Sequence, residues 1–138
     1  MAAELFVDTS GWFPLIDPQD RAHASVALAM RNAIKTRRRI VTTNLVVAET
    51  HALTMRRISR IAALAFLREV GRAPHIVVSS SPELEMTATN DWLNRFDDQD
   101  FSLTDAVSFS VMNQRGIREA LALDHHFVVA GFEVVPHR

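Results

Sequence analysis

The chain has 138 residues, 48% of them hydrophobic and 22% charged, with a formal net charge of −1. That balance excludes a disordered chain, and a domain of this length buries enough surface to fold without a disulfide or a structural metal. Cysteine is absent, which excludes zinc–thiolate centres and cysteine nucleophiles and fits a reducing cytoplasm.

Met1-Ala2-Ala3-Glu4 has no basic leader, and the apolar run Leu5-Phe6-Val7 is far too short to span a bilayer. Neither a secretory signal nor a membrane segment is expected, and cytoplasmic localisation is the default. Charge is unevenly spread. Eleven basic residues and only Glu49 and Glu69 lie between Arg21 and Arg72, whereas nine acids and three arginines lie between Glu83 and Asp124. A basic half beside an acidic half suits a protein that holds a polyanion with one surface and a cation with another. Solvated helix faces explain any single charge equally well.

Glu4-Leu5-Phe6-Val7-Asp8 reads as a strand ended by a turn, Asp8-Thr9-Ser10-Gly11. After Asp17-Pro18, the apolar residues Val26, Leu28, Met30 and Ile34 predict a helix over 23–36. Residues 39–43 form the second strand. Asn44 can cap a helix to about Arg57, and Ser59 another that ends before Gly71, a candidate C-terminal glycine. A third strand covers 75–79. Ser81-Pro82-Glu83 supplies an N-cap, a proline at the first helical position and a first-turn acid, opening a helix to about Phe96. A polar loop follows over 97–101. Ser102-Leu103-Thr104-Asp105 opens a helix that closes near Gly116. The fourth strand is 119–123 and the fifth 132–135. No repeat or linker interrupts the pattern, so residues 1–138 are expected to form one domain.

Strands alternating with helices too long for hairpins predict an α/β fold, a three-layer α/β/α sandwich around a mostly parallel sheet. In such sheets ligands bind outside the carboxyl ends of the strands. Asp8 stands at that end of the first strand and Asp124 at that of the fourth, although either could be a simple turn residue. Asp105 lies three residues after Ser102, the spacing of a capping box. Glu49 shares one helical stripe with Leu45 and Leu53, so it is expected to face the interior and to need a cation there, either a metal or one of the nearby arginines. Four oxygen donors from four distant segments suit a hard ion such as Mg²⁺ or Mn²⁺. Thr9, Ser10 and Thr104 add hydroxyls beside it, though turn and cap roles account for each.

The ordered set Leu5-Phe6-Val7-Asp8-Thr9-Ser10, Glu49 on the helix after the second strand, Phe101-Ser102-Leu103-Thr104-Asp105-Ala106 and Leu123-Asp124-His125-His126-Phe127 with Gly131-Phe132 resembles the PIN domain, and within it the VapC-type ribonuclease toxins. The resemblance spans essentially the whole chain. It implies a metal-dependent endoribonuclease using Mg²⁺ or Mn²⁺, usually a homodimer, blocked by a small antitoxin protein. It carries the family's four acidic positions onto Asp8, Glu49, Asp105 and Asp124, and its hydroxyl position onto Ser10. Asp98 and Asp100 fall where related toxins often place another acid, and are secondary candidates.

His125 and His126 are adjacent, and in an extended segment neighbours point opposite ways, so the two are not expected to face one ion. His126 is expected to pack with Phe127. Trp12, Phe13 and Trp92 could stack on bases, but core or dimer packing suits them better. Arg37-Arg38-Arg39 is a candidate phosphate contact or a solvated helix end. A haloacid-dehalogenase-like phosphatase would need a second aspartate where Ser10 stands and a late lysine. Lys35 is the only lysine, which removes that reading and a receiver domain with it. A flap-type nuclease would need more chain. The remaining alternative is a silent PIN-like module for binding RNA or protein; loss of acids would be its mark, and none is lost.

Overall fold

The structure is a computed structural model, and it describes residues 3–72 and 74–137. Five parallel strands form the sheet: β1 (Leu5–Val7), β2 (Ile40–Thr43), β3 (Ile76–Val78), β4 (Glu119–Leu121) and β5 (Glu133–Val135), in the order β3-β2-β1-β4-β5. The helices are α1 (Thr9–Ile16), α2 (His23–Lys35), α3 (Asn44–Arg57), α4 (Arg60–Val70), α5 (Pro82–Ala88), α6 (Leu103–Arg115) and α7 (His126–Val129), with a π-helical turn over Thr89–Asn94 after α5.

Strand order and handedness dictate the layers. The chain steps outward from β1 to β2 to β3, then jumps back past β1 to β4 and β5. Parallel crossovers are right-handed, so the first two steps place α1–α4 on one face and the return step places α5 and α6 on the other. Contacts divide the same way, with α1 against α2 and α3, α3 against α4, and α5 and the π-helical turn against α6. The expected α/β sandwich is observed, with the sheet wholly rather than mostly parallel.

β1 is fully buried, and β2 nearly so, as central strands covered on both faces must be. Trp92, Phe96, Phe101, Phe109, Phe127 and Phe132 form one linked aromatic cluster, while Trp12 packs edge-on against Phe66 and His75. Trp12, Phe13 and Trp92 are core residues, not base platforms.

Two helices are absent from the sequence reading. Asp8-Thr9-Ser10-Gly11 is not a bare turn but the start of α1, which carries Pro14 inside it. Such a short helix with a glycine and a proline has little intrinsic propensity; the packing of Trp12 and Phe13 holds it. His125-His126-Phe127 enters α7 rather than an extended segment. The cap of α3 is Thr43, whose hydroxyl accepts the Val46 N–H, while Asn44 accepts the Ser80 N–H through its side-chain oxygen. Gly116 closes α6 in the left-handed region, φ 69°; Gly71 closes α4 at φ −79°, where no glycine is required.

Candidate active site

The switch in strand order falls between β1 and β4, and the crevice at such a point is where parallel α/β sheets bind ligands. Asp8 follows β1 directly, and Asp124 follows β4 within three residues. Both line one cleft together with Thr9, Ser10, Phe13, Pro14, Asp20, Glu49, Leu53 and Leu123.

Ser10 ties the two strand ends together. Its hydroxyl donates to Asp8 Oδ2 at 2.7 Å and accepts the backbone N–H groups of Leu123 at 2.9 Å and Asp124 at 3.2 Å. The Ser10 N–H also donates to Asp8 Oδ2, at 3.1 Å, so Asp8 is at once the N-cap of α1 and a wall of the cleft. One carboxylate oxygen serves both bonds. Gly11, the next residue, admits no side chain, because a Cβ there would stand 2.3 Å from the Leu121 carbonyl oxygen. Close approach of α1 to β4 therefore sets the spacing between Asp8 and Asp124.

Asp8 is 4% exposed. Burial, with smaller contributions from the neighbouring charges of Asp105 and Glu49, pushes its carboxyl up to about 6 against the Ser10 hydrogen bonds. Asp105 is also buried. It completes the capping box of α6, its Oδ2 accepting the Ser102 N–H at 3.1 Å while its own N–H donates to the Ser102 hydroxyl at 3.0 Å. The same Oδ2 lies 3.1 Å from His126 Nδ1, which stands 3.4 Å from Asp124 Oδ1. Asp124 in turn accepts the His126 backbone N–H at 2.9 Å. His126 is thus a bridge between two carboxylates.

Three expectations change here. Glu49 is exposed: its stripe with Leu45 and Leu53 borders the open cleft instead of a closed core, so the cost of a buried charge does not apply to it. His126 packs edge-on against Phe101 and bridges the acids, rather than simply packing with Phe127. Because α7 begins at His126, the donor atoms of Asp124, His125 and His126 lie within 4.8 Å of one another. The two histidines can therefore face one ion, against the expectation from an extended segment.

Thr104 is half-buried, its carbonyl accepting the Ser108 hydroxyl, while Asp98 and Asp100 are exposed in the loop before α6. None of these three is among the described residues lining the cleft, and neither is Asp105, which joins it through His126 and Asp124. Thr9 turns inward instead, donating to the Val46 carbonyl and accepting the Thr50 hydroxyl. Asp20 is an unforeseen fifth acid at the cleft, held by an accepted Ala22 N–H. Its Asp17-Pro18-Gln19-Asp20 setting reads as an ordinary turn, so no sequence signal marks it. Of the arginine triplet, Arg38 bonds the Ala3 and Glu4 carbonyls and pairs with Glu119, and Arg39 pairs with Glu4. These residues lie at the amino ends of β1, β2 and β4, the pole opposite the acids.

None of the described arginine or lysine side chains pairs with Asp8, Glu49, Asp105 or Asp124. An oxygen-rich cluster with one deeply buried carboxyl and no basic counterion has the donor chemistry of a hard divalent cation. His126 can offset part of the negative charge only when protonated.

A parallel sheet with acids converging at its switch point defines a class of protein, and comparison with known sequences agrees. The PIN-domain family model matches residues 5–133, and the chain belongs to the PIN-domain family. It is 38% identical over 137 residues to the 23S rRNA-specific endonuclease VapC20 of two Mycobacterium tuberculosis strains, CDC 1551 / Oshkosh and H37Rv, covering 96% of this chain and 98% of that protein. The crystal structure of Mycobacterium tuberculosis VapC20, described as a sarcin–ricin loop cleaving toxin, superposes with a TM-score of 0.82 at 33% identity, covering 94% of this chain and 96% of that one. With the family and so extensive a likeness to an endonuclease, the chain is a nuclease of the VapC kind.

Proposed function

We propose that the chain is the toxin of a toxin–antitoxin pair, acting in the cytoplasm as one nuclease domain. It would be a divalent-metal endoribonuclease whose substrate is the sarcin–ricin loop of 23S ribosomal RNA. The observation that carries the reading is the gathering of Asp8, Glu49 and Asp124 on the β1–β4 crevice, with Asp105 joined to them through His126 and no arginine or lysine partner among the described residues, in a chain with near full-length similarity to a 23S rRNA-specific endonuclease.

Asp8, Asp105 and Asp124 are the residues that would hold the ion, Mg²⁺ or Mn²⁺, with Glu49 at the exposed side. When bound, the ion supplies charge neutralisation at the phosphodiester and acidifies water. The chain's own residues do the positioning. Ser10 fixes Asp8 through Oδ2, leaving Oδ1 unengaged by that residue. The capping box fixes Asp105, and His126 holds Asp105 and Asp124 in register. Such preorganisation places carboxylates where charge develops without reorganisation during reaction. Thr104, Asp98 and Asp100 stand outside the cleft, and we assign them no part in this chemistry.

The partners follow from two further surfaces. A groove of about 480 Å³ is lined by Trp12, Leu15, Ile16, Met30, Ile34 and Phe66, with Glu69 and His75 at its edge. It has the shape and apolarity to take an amphipathic segment of a small antitoxin. An arginine of the same antitoxin would reach the acids, where its planar fork can bridge two carboxylates. A homodimer is expected on family grounds and because two-fold pairs are the commonest oligomers.

The test is cleavage of 23S rRNA by the purified protein, with cut positions mapped. Cleavage within the sarcin–ricin loop, abolished by EDTA and reduced at least a hundredfold in Asp8→Asn and Asp105→Asn, is the expected result. Full activity in EDTA or in both variants would overturn the metal-carboxylate reading.

A further inference from the structure

A cleft walled by acids repels the phosphates of its own substrate, so something beside it must attract them. Phe13 and Leu53 line the cleft next to Glu49. The guanidinium carbon of Arg57 lies 5.8 Å from the centre of the Phe13 ring, within cation–π range. Glu49, Leu53 and Arg57 follow one another at four-residue spacing on α3, which puts them on a single stripe. Arg57 therefore stands about 12 Å along the helix axis from Glu49.

Arg57 is exposed and forms no ion pair among the described residues; its neighbours Arg56 and Arg60 are exposed and unpaired in the same way. A cation in the last turn of α3 also complements the helix dipole. That role would be met by lysine and asks for no aromatic beneath it. The ring does more: its face attracts the cation without accepting a conventional hydrogen bond, so the guanidinium N–H donors stay available. Those donors match two oxygens of a phosphate.

We infer that Arg57 binds a backbone phosphate of single-stranded RNA flanking the linkage held at the carboxylates, and so directs the RNA along α3. The inference rests on the endoribonuclease reading above and adds the path of the substrate to it. Arg57 is a positioning residue: it fixes the strand in the ground state and touches no reacting atom.

The experiment compares wild type, Arg57→Ala, Arg57→Lys and Arg37→Ala. Cleavage of a single-stranded oligoribonucleotide is followed in Mg²⁺, and binding of the same RNA is measured across a salt series in EDTA. Arg37→Ala removes the same charge at the opposite pole of the sheet. In Arg57→Ala we expect KM to rise about tenfold with kcat within about twofold of wild type. The slope of log affinity against log salt should fall by about 0.7, the value for one single-strand phosphate contact. Arg57→Lys should keep the slope and recover only part of KM, having lost the fork. Arg37→Ala should behave as wild type. An unchanged KM and slope in Arg57→Ala, or an equal loss in Arg37→Ala, overturns the inference while leaving the nuclease reading intact. A wild-type protein that neither binds nor cuts RNA overturns both.

Discussion

Asp8 caps a helix and walls a cleft with the same carboxyl group, and the two roles pull its protonation in opposite directions. Hydrogen bonds from Ser10 favour the charged form; burial, with Asp105 and Glu49 nearby, favours the neutral one and prevails. The folded-state value near 6 lies above the ordinary 3.8, so Asp8 contributes most to stability below about pH 4, and the contribution is lost as pH rises through 6. Two units correspond to about 3 kcal/mol. In EDTA at pH 8, Asp8→Asn should therefore melt above wild type, since the amide oxygen can still accept both Ser10 bonds. The gain should shrink on acidification and vanish near pH 4. Added Mg²⁺ should stabilise wild type more than the variant, by mass action. Thermal melts across pH, with and without the metal, read all of this; a variant less stable at pH 8 in EDTA would assign Asp8 a purely structural cap. Asp8, Asp105 and Asp124 were legible because each sits at a strand end or a helix cap, places that sequence marks, whereas Glu49 lies within α3 and was singled out by its stripe with Leu45 and Leu53. The bridge made by His126 was not, since it depends on α7 turning the ring back toward Asp105, and Asp20 was hidden within an unremarkable turn.

At the scale of elements, α1 carries the most consequence for its length. It packs so close to β4 that only glycine fits at position 11. Overpacking of this kind typically costs about 1–3 kcal/mol, and here the obstacle is backbone, which yields poorly. Gly11→Ala should lower the unfolding free energy measured in urea by an amount in or above that range. It should also depress cleavage more than the lost stability explains, because Asp8 and Ser10 ride on the same turn. Equal stability in circular-dichroism unfolding would show that α1 can shift outward freely. Strands β1 to β5 and five helices were legible from apolar runs, caps and breakers. α1 was not, because Gly11 and Pro14 argue against a helix locally and only the burial of Trp12 and Phe13 overrides them. The π-helical turn likewise extends a helix whose sequence gives no sign of the altered winding.

The whole molecule is polarised along its strands. At the amino ends, Arg38 and Arg115 pair with Glu119 and Glu4 and knit the sheet together; at the carboxyl ends, acids gather with histidine but no arginine or lysine partner among the described residues. The strand–helix alternation was enough to foresee acids at the carboxyl ends, whereas the paired charges at the amino ends and the position of the switch between β1 and β4 required the structure. The proposed antitoxin should cover the Trp12–Phe66 groove. A co-expressed small protein from the adjacent gene should abolish toxicity, and Ile34→Glu at the exposed part of the groove should restore toxicity in its presence while leaving cleavage by the free protein intact. A neighbour that still neutralises Ile34→Glu would place the contact elsewhere. Light scattering should give the mass of a pair at micromolar concentration, and a monomer mass would remove the homodimer.

The order β3-β2-β1-β4-β5 also governs when the site comes into being during synthesis. β4 is the fourth strand to leave the ribosome, yet it lies beside the central strand β1, and Asp124 follows it. A nascent chain that has exposed only β1 to β3 has an open flank on β1 and nothing for Gly11 or Ser10 to seat against. Only Asp8 and Glu49 of the four acids have then emerged, and the crevice has no far wall. The chain therefore lacks a complete crevice until most of the polypeptide, through β4 and Asp124, has left the ribosome.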